Sequence, residues 1–322
     1  MFSENTDTCR PSRRCLPRFL HRVYLHRVGN GHLHASLALA AAVLWMGCAG
    51  GAPPVGTGSA TAASAGSIRF ARAVVRVEDI QTAAKYEADL SGTYDTLPPV
   101  GAAWFTLLDG SSHVLVTAGH ATSQTREGKL KPADGGTGSL AMMLNMFAKT
   151  PALHTTYASP SDPNFYDDND FKREVQKLIV ARHPRVVLDL HASHPDHPYD
   201  VDFGTMEGRS LLGRVSLLDV LAARLHDEGL SNFSQDFFSA AKNETITKWV
   251  SALGVPVIQC EINSTWLLPA PEKVQAATSD GGADRGSVRR PADEWANAIQ
   301  YQRFAALLQG LIRYVGEIDS AP

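Results

Sequence analysis

The chain has 322 residues, 44% of them hydrophobic and 20% charged, so it can bury a sizeable core and is not disordered throughout. Its formal net charge is −3, from 30 Lys and Arg against 33 Asp and Glu, and six of the arginines crowd into residues 1–47. The remainder, with 24 basic and 31 acidic residues, carries −7 and lacks the clustered cations of a phosphate-binding surface, which argues against a nucleic-acid partner.

Residues 1–47 have the layout of a signal peptide: a basic stretch, the apolar run from Ala35 to Met46, then Gly47-Cys48-Ala49. Twelve apolar residues rise about 18 Å as a helix, too little to cross a hydrocarbon core of about 30 Å. A Cys after a small residue resembles a bacterial lipobox, which makes Cys48 the expected site of lipidation. An ordinary cleaved signal is the alternative, and Ser12-Arg13-Arg14 leaves twin-arginine export open beside the general route. Residues 48–67, nearly all Ala, Gly, Ser, Thr and Pro, are expected to form a flexible tether. Together these features predict export and a lipid-anchored location in the bacterial cell envelope. After processing, Cys260 is the only other cysteine, so the fold must rest on its core and not on a disulfide.

From residue 68 onward the pattern alternates between strands and helices. Strands are expected at Ile68–Val77, Ala103–Leu108, Val114–Thr117, Ala152–Tyr157, Arg185–Leu190, Val201–Phe203 and Val257–Ile262. Several are unbroken apolar runs, which suits strands buried on both faces. Helices are expected at Thr137–Lys149, Asp170–Arg182, Leu217–Glu228, Phe237–Leu253 and Ala292–Ile318. This order predicts one α/β domain over 68–322, with a mixed, mostly parallel sheet flanked by helices and a flexible insertion at 269–290.

Ligands gather at the C-terminal ends of strands in open α/β sheets. After Val114–Thr117 comes His120, after Val186–Leu190 comes His191, and Val257–Cys260 runs into Glu261. Two imidazoles and a carboxylate are the usual ligand set of a catalytic zinc, and a further carboxylate can carry the proton of an attacking water. His120 and His191 are therefore candidate metal ligands with Glu127 as the third, and Glu261 is the candidate catalytic residue. Asp189 is expected on the strand face opposite His191, in a structural role. Arg126 and Lys129 are candidate carboxylate-binding residues, with Asn263 a further substrate-binding candidate. Asp134, Thr137 and Gly138 could also meet substrate, although Thr137 reads better as a helix N-cap. His194, His197, Asp200 and Asp202 could bind a second metal or line an entrance. A trypsin-like reading of VLVTAGHA lacks its downstream serine segment, no Gly-x-Ser-x-Gly elbow occurs, and Cys260 lies within an apolar strand.

The segments GHATSQTREGKLKPADGGTG (119–138), VVLDLHASHPDHPYDVDFGT (186–205) and PVIQCEIN (256–263) resemble the N-formylglutamate amidohydrolase-like proteins, a family related in site layout to the zinc carboxypeptidases. The resemblance implies a phosphorylase/hydrolase-like, zinc-carboxypeptidase-like sheet and one zinc per chain held by two His and a Glu. It also implies that Glu261 is general base. Ser123 stands where the carboxypeptidases carry their Glu ligand, and Arg126-Glu127 reproduces an Arg-Glu pair just beyond it. The expected activity is zinc-dependent hydrolysis of an amide or formamide bond in a small molecule or peptide bearing a carboxylate. The alternatives are a carboxypeptidase-like peptidase, a cell-wall amidase, or a non-catalytic lipid-anchored binding protein on the same fold.

Overall fold

The computed structural model describes residues 73–270 and 291–322; the expected signal peptide, the expected lipidation site Cys48, the expected tether and most of the expected insertion at 269–290 lie outside the described residues. The first described element is a helix, α1 (Val77–Ser91), where the sequence suggested the end of a strand. Its inward side is sparse in large apolar residues and includes the buried Asp79 and Glu87, so hydrophobic periodicity gives little sign of it. Asp79 accepts a hydrogen bond from the Arg76 backbone N–H at 2.8 Å and so closes the first turn.

Seven strands form one sheet in the order β1-β5-β2-β6-β9-β7-β8. They are β1 (Phe105–Leu108), β2 (Val114–Ala118), β5 (Ala152–Thr155), β6 (Val186–Ser193), β7 (Val201–Gly204), β8 (Phe233–Gln235) and β9 (Val257–Asn263). The four strands β5, β2, β6 and β9 run parallel, β1 and β7 pair antiparallel to their inner neighbours, and β8 runs parallel to β7. The mixed, mostly parallel α/β architecture expected from the pattern is the one found. A separate hairpin, β3 (Gln124–Arg126) with β4 (Lys129–Lys131), projects after β2.

Strand alternation builds two cores. One face of the sheet presents Leu115, Leu153, Val187 and Val257 to α3 (Asp170–Arg182) and α5 (Ile246–Ala252). The other presents Val116, Leu188, Leu190, Ile258 and Ile262 to α2 (Thr137–Ala148), α4 (Ser216–Asp227) and α6 (Pro291–Ser320), with α1 packed on α2. The helix expected at Phe237–Leu253 is only its last part: residues 236–245 form a loop in which Asp236 and Ala240 adopt positive φ, and the helix starts at Ile246 behind the Thr245 cap.

Candidate metal centre and active site

The face that packs on α3 and α5 turns polar toward the C-terminal ends of the strands. In the sheet register His191 lies beside Glu261, Asp189 beside Gln259, and Thr117 beside Asp189. Residues two apart on a strand share a face, so Asp189 lies on the same side as His191, contrary to the expectation from the sequence. Its Oδ2 is 3.2 Å from His191 Nε2, and its Oδ1 accepts from Thr117 Oγ1 at 2.7 Å.

His120 arrives from the turn after β2. At Gly119 an added Cβ would sit 2.9 Å from Pro163 Cγ, so glycine there lets the 162–164 loop close over this turn. That loop supplies Asp162, which is fully buried, with its Oδ1 2.8 Å from His120 Nε2. Asp134 is brought in by backbone: its N–H donates to the His120 carbonyl at 2.8 Å, and its own carbonyl accepts the Thr137 hydroxyl at 2.7 Å. Thr137 is therefore the first residue of α2 and not its cap. The cap is Gly136 at φ 86°, where a Cβ would lie 2.7 Å from that of Leu267.

The result is a pair of imidazoles arranged alike. His191 Nδ1 is 2.9 Å and His120 Nδ1 3.5 Å from the same atom, Asp134 Oδ2. The ring centroids are 4.7 Å apart, and one ligand atom from each of His120, Asp134 and His191 lies within 4.8 Å of the others. Two ligands at ordinary zinc distances and a tetrahedral angle stand about 3.3 Å apart, so the spacing suits one small cation. Each ring turns Nε2 to a buried carboxylate, Asp162 or Asp189, and Asn164 Nδ2 stands 3.1 Å from His191 Nε2. With its proton on Nε2, each ring would present its Nδ1 lone pair beside Asp134, as metal-binding histidines are commonly held. These three residues and their supports fit a metal ion by geometry and by donor chemistry.

Burial alone would lower the His120 pKa, but the hydrogen-bonded Asp134 and Asp162 outweigh it and push it up to about 9. His191 is likewise raised, against burial, by Asp189 and Asp134. Burial would raise both carboxyls, yet the two histidines hold Asp134 well below the usual range and His120 brings Asp162 to about 2. Glu261 behaves in the opposite way: burial pushes it up to about 7, with His191 pulling it back. Gln259 Nε2 donates to Glu261 Oε1 at 2.9 Å and orients it.

A cavity of about 360 Å³ opens over this group, lined among others by His120, His191, Glu261, Arg126, Asn164 and Lys242. Of the residues singled out from the sequence, His120, His191, Glu261 and Arg126 meet here. The Nε and Nη2 of Arg126 both contact Asp162 Oδ2, at 2.8 and 2.6 Å, and its guanidinium lies 4.8 Å from the Phe165 ring centre. Its charge is thus already engaged by the residue behind His120.

Four expectations are corrected. Glu127 is exposed at the β3–β4 turn with φ 51°, its backbone N–H bonded to Tyr166, and Asp134 takes the position expected for it. Lys129 is exposed on the same hairpin and does not line the cavity. Asn263 is buried and fully used, donating to the Pro195 and His197 carbonyls and accepting from Thr265. Asp200 and Asp202 serve backbone N–H groups and nearby side chains; among the described residues His120, Asp134 and His191 form the only cluster able to hold a metal. Ser123, at the carboxypeptidase ligand position, donates to Asp95 at 2.6 Å. Asp162 and Asn164, which the sequence did not flag, lie in the polar loop after β5, several residues beyond its end at Thr155.

No family model and no curated protein matches the chain. Among solved structures it is similar to an N-formylglutamate amidohydrolase from Ralstonia eutropha JMP134, at 13% identity and a TM-score of 0.40, over 67% of this chain and 99% of that one. It is also similar to a bacteriophage poly-gamma-glutamate hydrolase, at 13% identity and a TM-score of 0.40, over 68% and 93% of the two chains. An N-acetylmuramoyl-L-alanine amidase of Nostoc punctiforme follows at 13% identity and a TM-score of 0.29, over 65% and 99%.

Proposed function

We propose that the chain is a metal-dependent hydrolase of amide C–N bonds, in which His120, Asp134 and His191 hold one divalent cation, zinc being the natural match for two imidazoles and a carboxylate. The observation that carries this reading is the matched pair of imidazoles, each with Nδ1 toward Asp134 and Nε2 backed by a buried carboxylate. A cation bound there would supply Lewis-acid polarisation of a carbonyl and lower the pKa of a water.

The proton work falls to Glu261. A carboxyl pushed up to about 7 can accept a proton from an attacking water near neutral pH and return it to a departing amine. In that sequence the C–N bond breaks, the water oxygen stays on the acyl carbon, and the amine leaves with the proton Glu261 carried. Asp162, held by Arg126, and Asp189, held by Thr117, keep the two imidazoles in place through the cycle. Lys242 gives the cavity a positive side, which suits a substrate bearing a carboxylate. If Cys48 is lipidated, this activity sits at the cell envelope, where peptides and cell-wall fragments supply such amides.

The test is hydrolysis of a panel of N-acyl amino acids by the purified full chain, before and after chelation and after return of zinc. Turnover that is lost on chelation and restored by zinc supports the proposal. Turnover indifferent to chelation, or none with zinc bound, overturns it.

A further inference from the structure

Two phenylalanines stand at the cavity against the usual preference for burying such rings. Phe237 and Phe238 line it while keeping 58% and 40% of their surface exposed. They are not on a loose loop. The fully buried Asp202 accepts both of their backbone N–H groups, at 3.1 and 2.8 Å, together with the Ser234 hydroxyl at 2.7 Å. Just before them, Asp236 accepts from the Thr205 N–H, the Thr205 hydroxyl and the Glu207 N–H. The rings pack 5.1 Å apart by their centroids, and His197 supports both from 5.3 and 5.4 Å. The buried Asp202 and the half-buried Asp236 thus hold an exposed aromatic surface rigid beside the candidate metal ligands, as a preorganised binding wall requires.

The cavity's charge completes the picture. Arg126 is engaged with Asp162, whereas Lys242, exposed in the same loop as the phenylalanines, has no ion pair among the described residues. We propose that this loop sets substrate choice: Phe237 and Phe238 receive an aromatic or large apolar side group, and the Lys242 ammonium receives the carboxylate of the same molecule. The substrate class is then an N-acylated amino acid or short peptide whose residue beside the scissile bond is aromatic or apolar, not acidic. The inference rests on the reading of this cavity as an active site.

Equilibrium binding tests it independently of turnover. The zinc-loaded full chain is titrated calorimetrically with N-acetyl-L-phenylalanine, N-acetyl-L-alanine and N-acetyl-L-glutamate. The phenyl ligand is expected to bind about tenfold or more tightly than the other two. Phe237→Ala with Phe238→Ala should reduce that ratio to within about threefold, and Lys242→Ala should weaken all three ligands alike. The exposed rings are replaceable without opening the core, and the ligand series on the unmodified chain decides the matter even if the double variant misfolds. Equal affinities, preference for the glutamate ligand, or a ratio unchanged in the double variant overturn the inference. Hydrolysis is read separately: a chain that binds the phenyl ligand best but cleaves nothing sinks the hydrolase reading alone. One that cleaves the glutamate amide while binding the phenyl ligand no better sinks this inference alone.

Discussion

Replacing Glu261 with Gln should separate activity from stability. In the metal-free chain burial raises the carboxyl from its ordinary 4.5 to about 7, so between those values the folded chain holds a proton that the unfolded chain has released. The contribution of Glu261 to stability is therefore complete below about pH 4.5 and is lost as pH rises through about 7. Above that range the buried carboxylate is a standing cost of about 1–3 kcal/mol. Gln keeps an oxygen for the 2.9 Å hydrogen bond from Gln259 and carries no charge to bury. Glu261→Gln is thus expected to gain about 1–3 kcal/mol at pH 8 and to change little at pH 4.5, while kcat falls by about 10²- to 10⁴-fold. Urea unfolding of chelator-treated protein at the two pH values, with turnover of the zinc-loaded enzyme, measures both. A variant less stable than the parent at pH 8, or one with unchanged kcat, would refute the reasoning.

Other perturbations discriminate the supporting parts. Asp162→Asn removes the charge behind His120, so zinc affinity measured by competition with a chromophoric chelator should fall about 10- to 100-fold; an unchanged affinity would mean that Asp162 serves only Arg126. Lys172 is buried, and its ammonium donates to the carbonyls of Tyr166 and Glu244, on the two loops that flank the site. Lys172→Met should cost about 2–4 kcal/mol in urea unfolding, and a loss under about 0.5 kcal/mol would contradict that role. Asn263→Ala should destabilise by about 1–3 kcal/mol while leaving KM near the parent value, since its hydrogen bonds all go to protein. A large rise in KM without loss of stability would restore it as a substrate-binding residue.

The parts of this site that were legible from the sequence share one property. His120, His191 and Glu261 each follow an apolar run that can only be a buried strand, and strand ends of a parallel sheet converge. Asp134 and Asp162 lie on loops whose course depends on crossovers, 14 and 42 residues beyond His120, and no periodicity reports where such loops return. Glu127 departs from the expected place because it sits in the tight turn of hairpin β3–β4, which carries its side chain outward. Asp189 was misjudged by strand parity, although a step of two residues returns to the same face. The run after Phe237 resembled a helix by its apolar content, yet Asp202, 35 residues earlier, captures its first backbone N–H groups and holds it as a loop. Helix α1 escapes hydrophobic periodicity because two of the five residues it buries, Asp79 and Glu87, are acidic.

The most direct measurement is the metal content of the full chain purified without chelators, compared across Asp134→Ala, His191→Ala and Glu127→Ala. About one zinc per chain in the parent and in Glu127→Ala, with none in the other two, is the expected result. Zinc retained by Asp134→Ala and lost from Glu127→Ala, or a parent chain that binds no metal at all, would contradict the account.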